Sequence, residues 1–139
     1  MAAEDWLLHV PGPAIERLPG SLELAFLGDT IFDLYVRRML LEHGGPMKRM
    51  QQEASHRVCA HAQSESLARI EPLLTEEETA VVRRARNTKQ HPPRNADPAE
   101  YQRATGLEAL LGWLYIRGNT ARIDELLGEI FIRTDETKE

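Results

Sequence analysis

Two segments of this chain break the same rule of helix composition, and that coincidence narrows the folds open to it. "LELAFLGDTIFDLYVRRMLLEHG" (22–44) places Gly28 and Asp29 inside an apolar helical pattern, and "YQRATGLEALLGWLY" (101–115) does the same with Gly106, Glu108 and Gly112. A glycine inside a helix costs about 1 kcal/mol relative to alanine. A carboxylate on an apolar stripe costs more unless it is paired or bound to a cation. Both penalties in both segments suggest two helices packed closely enough to bring acids together. Asp29 and Asp33, four residues apart, share a helical face with a rise of about 6 Å between them. Such carboxylates suit hard divalent ions. The same acids could instead be half-exposed and paired with Arg37, Arg38 or Arg103, and spacing alone leaves both readings open.

The other periodic segments also read as helices. Ser21 is a candidate cap for the first, whose apolar positions include Leu24, Leu27, Ile31, Leu34 and Tyr35, and Gly44 or Gly45 can end it in the left-handed conformation. Pro46 opens a second stretch, open to a break, that reaches Ile70 before Pro72 stops it. Thr75 with Glu78 forms a capping box for a helix that frays near Asn87. Asp97 followed by Pro98 pairs a cap with a first-turn proline. Thr120 is a candidate cap for a last amphipathic helix with Ile123, Leu126, Leu127, Ile130 and Phe131 on one side. No strand alternation persists. The expectation is an all-α chain forming one domain over 1–139, with an irregular lead-in over 1–20 and a frayed tail over 134–139.

Charge and cysteine usage bound the function. One cysteine, Cys59, excludes an internal disulfide, fits a reducing compartment, and reads as a small buried hydrophobe. His56, Cys59 and His61 do not share one helical face and lack a second ligand pair, which argues against zinc. Trp6 and Trp113 read as core or interface residues. The longest uncharged apolar run, Ala109 to Ile116, is far shorter than a membrane span, and the acidic N-terminus does not suit a signal peptide, so a cytoplasmic location is expected. The net charge is −5, yet "RRARNTKQHPPR" (83–94) holds four arginines and one lysine with no acid. Screening acts over about 8 Å at physiological salt, so a local basic patch can meet phosphates on an acidic protein.

The segment 22–44 resembles the signature helix of the ribonuclease III catalytic domain, and 101–115 resembles that family's second acidic helix. "AFLGDTIFDLYVR", "RRARNTK" with its proline-containing loop and "RNAD", and "YQRATGLEALLGWLY" are most similar to the short form of the family, Mini-ribonuclease III, which lacks a double-stranded-RNA-binding domain. The chain ends soon after its last helix, so no such domain is expected.

The resemblance implies a two-fold homodimer that cleaves double-stranded RNA, in maturation of the 23S ribosomal RNA precursor. It implies Asp29 and Glu108 as catalytic residues and ligands of Mg²⁺, with Mn²⁺ as a possible substitute. Two further carboxylates of full-length ribonuclease III are replaced here by Ala25 and Thr105, a thinning shared by the short form. Asp33 is a weaker candidate for an outer carboxylate. Arg83, Arg84, Arg86, Lys89 and Arg94 are the candidate duplex grip, because A-form RNA is read through its phosphates and 2′-hydroxyls. Phe26, Ile31 and Phe32 are the candidate dimer seam, although some of them must instead fill the monomer core. The alternative is a non-cleaving dimer of the same fold that binds structured RNA or a ribosomal partner.

Overall fold

The structure is a computed structural model that describes residue 10 and residues 15–136, with side chains through Phe131. Most of the expected lead-in, Trp6 included, and the end of the expected tail lie outside the described residues. Among the described residues there are six α-helices and no strand: α1 (Ser21–His43), α2 (Met47–Val58), α3 (Ala60–Ile70), α4 (Glu76–Asn87), α5 (Pro98–Ile116) and α6 (Thr120–Glu136). A 3-10 turn over Glu71–Leu73 carries Pro72 between α3 and α4.

Helix α5 is apolar nearly all round, and such a helix belongs at the centre. It packs against α1, α3, α4 and α6. Leu107, Leu110, Leu111 and Leu114 are fully buried against Phe32 and Val36 of α1, Leu67 and Ile70 of α3, and Ile123, Leu126 and Leu127 of α6. Where α1 and α4 meet α5 the core changes character: Ala25, Ala85 and Ala109 join Leu24 and Val81 in a second, smaller-residue cluster.

The glycines explain how α1 and α5 come so close. A Cβ on Gly28 would sit 1.7 Å from the Glu108 carbonyl oxygen, and one on Gly112 would sit 2.0 Å from the Leu24 carbonyl oxygen. Each helix therefore supplies a glycine where the other's backbone passes. Gly106 serves a different contact, with a Cβ there meeting Val82 and Arg86 of α4 at 3.0 and 3.1 Å.

The helix ends follow the sequence with two exceptions. Thr75 and Glu78 close the expected capping box, and Asp97 accepts from the Ala99 and Glu100 amides. Gly44 ends α1 at φ +73°, its amide donating to the Leu40 carbonyl at 2.9 Å. At the start of α1, however, Ser21 is already helical and Gly20 is the cap; Gly20 has no side chain to accept a first-turn amide, and the bond formed is the reciprocal one, the Glu23 carboxylate accepting the Gly20 amide. At α6 the cap is Asn119, whose Oδ1 accepts the Arg122 amide at 3.3 Å, and Thr120 is the first helical residue.

Two sequence expectations are corrected. Ile31 and Phe32 lie in the core, 4% and 0% exposed, and cannot form a surface seam, whereas Phe26 is 84% exposed. Cys59 is exposed too, because α2 and α3 break at that residue and it sits at the corner with its thiol directed to the His56 carbonyl.

Candidate active site

Gly28 abuts the backbone of Glu108, so its neighbour Asp29 is delivered beside the Glu108 side chain. The two carboxyl groups are within hydrogen-bonding reach of each other. Asp29 is exposed and Glu108 half-buried. Burial, and then the adjacent Asp29 carboxyl, push the Glu108 carboxyl up to about 8 from its ordinary 4.5. A single weak contact opposes this, from Gln63 Nε2 of α3, which donates to Glu108 Oε2 at 3.4 Å. Gln63 is 2% exposed and had no part in the expected site. Its signal was present in the sequence: it shares an apolar stripe of α3 with Leu67 and Ile70, at i, i+4 and i+7, where an amide is out of place.

Asp29 and Glu108 open into a cleft of about 270 Å³ that is also lined by Ala25, Phe26, Lys89, Gln90 and Thr105. Ala25 and Thr105 are thus present at the cleft without a carboxylate. Asp33 does not join the site. It pairs with Arg37 at 3.0 Å and lines a separate groove between α1 and α2. Arg103, a candidate partner for the acids, is taken up by Glu71 at 2.8 Å and by Ser64. His61 is held between Glu100 and Glu65, and Trp113 is half-buried beneath the Arg117 guanidinium, 4.5 Å from the ring centre.

The basic segment leaves α4 on the side of the cleft. Arg83, Arg84, Lys89 and Arg94 are exposed and Arg86 is half-buried. None of the five has an acidic partner among the described residues. Of the five, Lys89 alone lines the cleft; the arginines lie along the last turns of α4 and on the loop beyond.

The donor set fits a hard divalent ion. Both candidates are carboxylates, neither is paired with a cation among the described residues, and their like charges are adjacent. Among the described residues no group of three or more His, Cys, Asp and Glu converges. Magnesium commonly takes one or two carboxylates and completes its sphere with water and substrate phosphate, so two acids suffice.

Residues 22–119 match the Ribonuclease III domain family. Among curated proteins, the Mini-ribonuclease 3 of Symbiobacterium thermophilum is 46% identical over 108 residues, covering 76% of this chain and 83% of its own. That of Streptococcus pneumoniae is 37% identical over 115 residues, covering 80% and 90%. A crystal structure of a Fusobacterium nucleatum protein superposes with a TM-score of 0.78 at 34% identity, covering 86% of this chain and 96% of that one.

Proposed function

Because the chain belongs to the ribonuclease III family and is an endoribonuclease, we propose that it hydrolyses double-stranded RNA with a divalent cation, Mg²⁺ or Mn²⁺, held by Asp29 and Glu108. The observation that carries this reading is the convergence of those two carboxyls in one cleft, neither of them ion-paired with a basic side chain among the described residues. A bound cation would supply charge to the phosphoryl oxygens and acidify water.

The protein's own groups do the rest. Asp29 and Glu108 present oxygens to the cation, and Gln63 holds one Glu108 oxygen in place from the buried side. Binding the cation requires the Glu108 proton to leave, so site occupancy rises with pH towards about 8. Lys89 at the mouth, and Arg83, Arg84, Arg86 and Arg94 beyond it, meet the phosphates of the duplex.

One site cuts one strand, so the reading includes a two-fold homodimer that presents two sites to one duplex. Phe26 supports the seam: a phenylalanine 84% exposed at the edge of the cleft, with Leu22 and Leu18 also exposed at 45% and 68%, is apolar surface suited to a second copy. The natural duplex under this reading is the 23S ribosomal RNA precursor, handled in the cytoplasm, and similarity to the short ribonuclease III form supports it. Among the described residues no helix is long and apolar enough to cross a membrane.

The non-cleaving alternative draws on Ala25 and Thr105, but the acids that remain share one cleft and favour cutting. Asp29→Asn tests the choice. It should fold, bind duplex and lose at least about 100-fold in cleavage rate with Mg²⁺. Cutting at the wild-type rate would remove Asp29 from the site, and a wild-type chain that only binds duplex would favour the alternative.

A further inference from the structure

The loop after α4 is fastened to the acid-bearing helix through one amide. Gln90 Nε2 donates to the Ala85 carbonyl in the last turn of α4 at 3.3 Å. Gln90 Oε1 lies 2.7 Å from the Thr105 hydroxyl of α5, one turn before Glu108. Thr105 is only 7% exposed, and its other neighbour is the Tyr101 carbonyl at 3.0 Å, so its hydroxyl bonds within the protein rather than to bulk water. Gln90 therefore uses both ends of its amide, one on each helix. Lys89 and His91, on either side of it, line the cleft that holds Asp29 and Glu108.

We propose that Gln90 is a positioning residue: by bridging the end of α4 to Thr105, it fixes Lys89 at the mouth of the acid cleft, where a backbone phosphate of the duplex arrives. The inference rests on the RNA-cleaving reading and extends it from the cation to the grip. A lysine is a point charge on a flexible stem, and its usefulness to a phosphate depends on where its backbone is held. With the loop fastened, the ordering of that backbone precedes RNA binding and does not weigh against affinity. With the loop released, Lys89 keeps its charge but spreads it over many positions. The loss then falls on binding rather than on the chemical step.

Steady-state cleavage of a short RNA duplex with Mg²⁺, measured over a salt series, tests this. Gln90→Ala changes a half-exposed loop residue and should leave the thermal midpoint unchanged while raising KM about tenfold, with kcat held within about twofold. The dependence of log KM on log salt should flatten by about one phosphate contact. Thr105→Val should reproduce both effects, the double variant should be no worse than either single one, and Thr105→Ser should restore wild-type KM. Lys89→Ala should match Gln90→Ala and add nothing to it. Unchanged KM and salt slope in Gln90→Ala and Thr105→Val, or losses that simply add, would overturn the latch while wild-type cutting left the nuclease reading standing. A wild-type chain that binds the duplex without cutting it would overturn the nuclease reading instead.

Discussion

Glu78 and Glu108 are two acids withdrawn from water, and the chain treats them in opposite ways. Glu78 meets a fork of Arg122, with Nη2 and Nε each 2.9 Å from a carboxylate oxygen, and also accepts the Thr75 amide. The Arg122 guanidinium holds its carboxyl below the ordinary range against the cost of burial. Glu108 has a neutral amide at 3.4 Å and another acid beside it, and its carboxyl rises to about 8. The first is neutralised from within and serves the fold, tying α4 to α6. The second is left short of positive charge. Under the proposed function, a half-buried acid without an ion-pair partner among the described residues is where a charge from outside would bind.

The largest effect should come from separating the acids without altering either. Gly28→Ala would drive a methyl group into the Glu108 carbonyl and force α1 from α5, costing upward of about 3 kcal/mol in denaturant unfolding. Glu78 and Arg122 lie away from that seam and should keep their pairing in whatever fold remains.

Breaking the other pair comes next. Arg122→Met strands Glu78 and should cost roughly 2–4 kcal/mol in urea unfolding. A carboxyl lowered by folding contributes stability above its ordinary pKa that is lost as pH falls through the folded value. The variant should therefore lose part of the wild-type decline on the acid side.

Glu108→Gln should act with the opposite sign. The folded carboxyl titrates near 8 and the unfolded one near 4.5, so the folded chain keeps a proton that the unfolded chain releases between them. The associated stability is fully present below about 4.5 and is lost as pH rises through 8. Without divalent cations, Glu108→Gln should be more stable than wild type by roughly 1–3 kcal/mol at pH 8, and no different at pH 4. Thermal melts at the two pH values check this. A gain in stability with a loss of cleavage is the signature of a residue retained for function.

How much of this could be read from the chain alone follows the same division. Local signals carried the fold: glycines where backbones cross, the capping box at Thr75, and Asp97 before Pro98 all mark contacts with near sequence neighbours or with a partner helix of the same pattern. Asp29 and Glu108 were legible as acids in the wrong place. Gln63 was legible only as an amide on an apolar stripe; its role was not, because that depends on α3 lying across Glu108, a packing that α3 does not encode by itself. Cys59 and Phe32 misled for a related reason: composition gives a tendency to be buried, and the break at α2–α3 or the facing of one helix turn decides the outcome. Asp33 illustrates the same limit, since spacing left a shared face with Asp29 and a pair with Arg37 both open, and the structure has the pair.

The most direct measurement is a calorimetric titration of the folded chain with Mn²⁺ at pH 6 and pH 8. The account predicts saturable binding that tightens at the higher pH, as Glu108 gives up its proton, and that disappears in both Asp29→Asn and Glu108→Gln. Binding of equal strength in those variants, or none in the wild-type chain at pH 8, would contradict it.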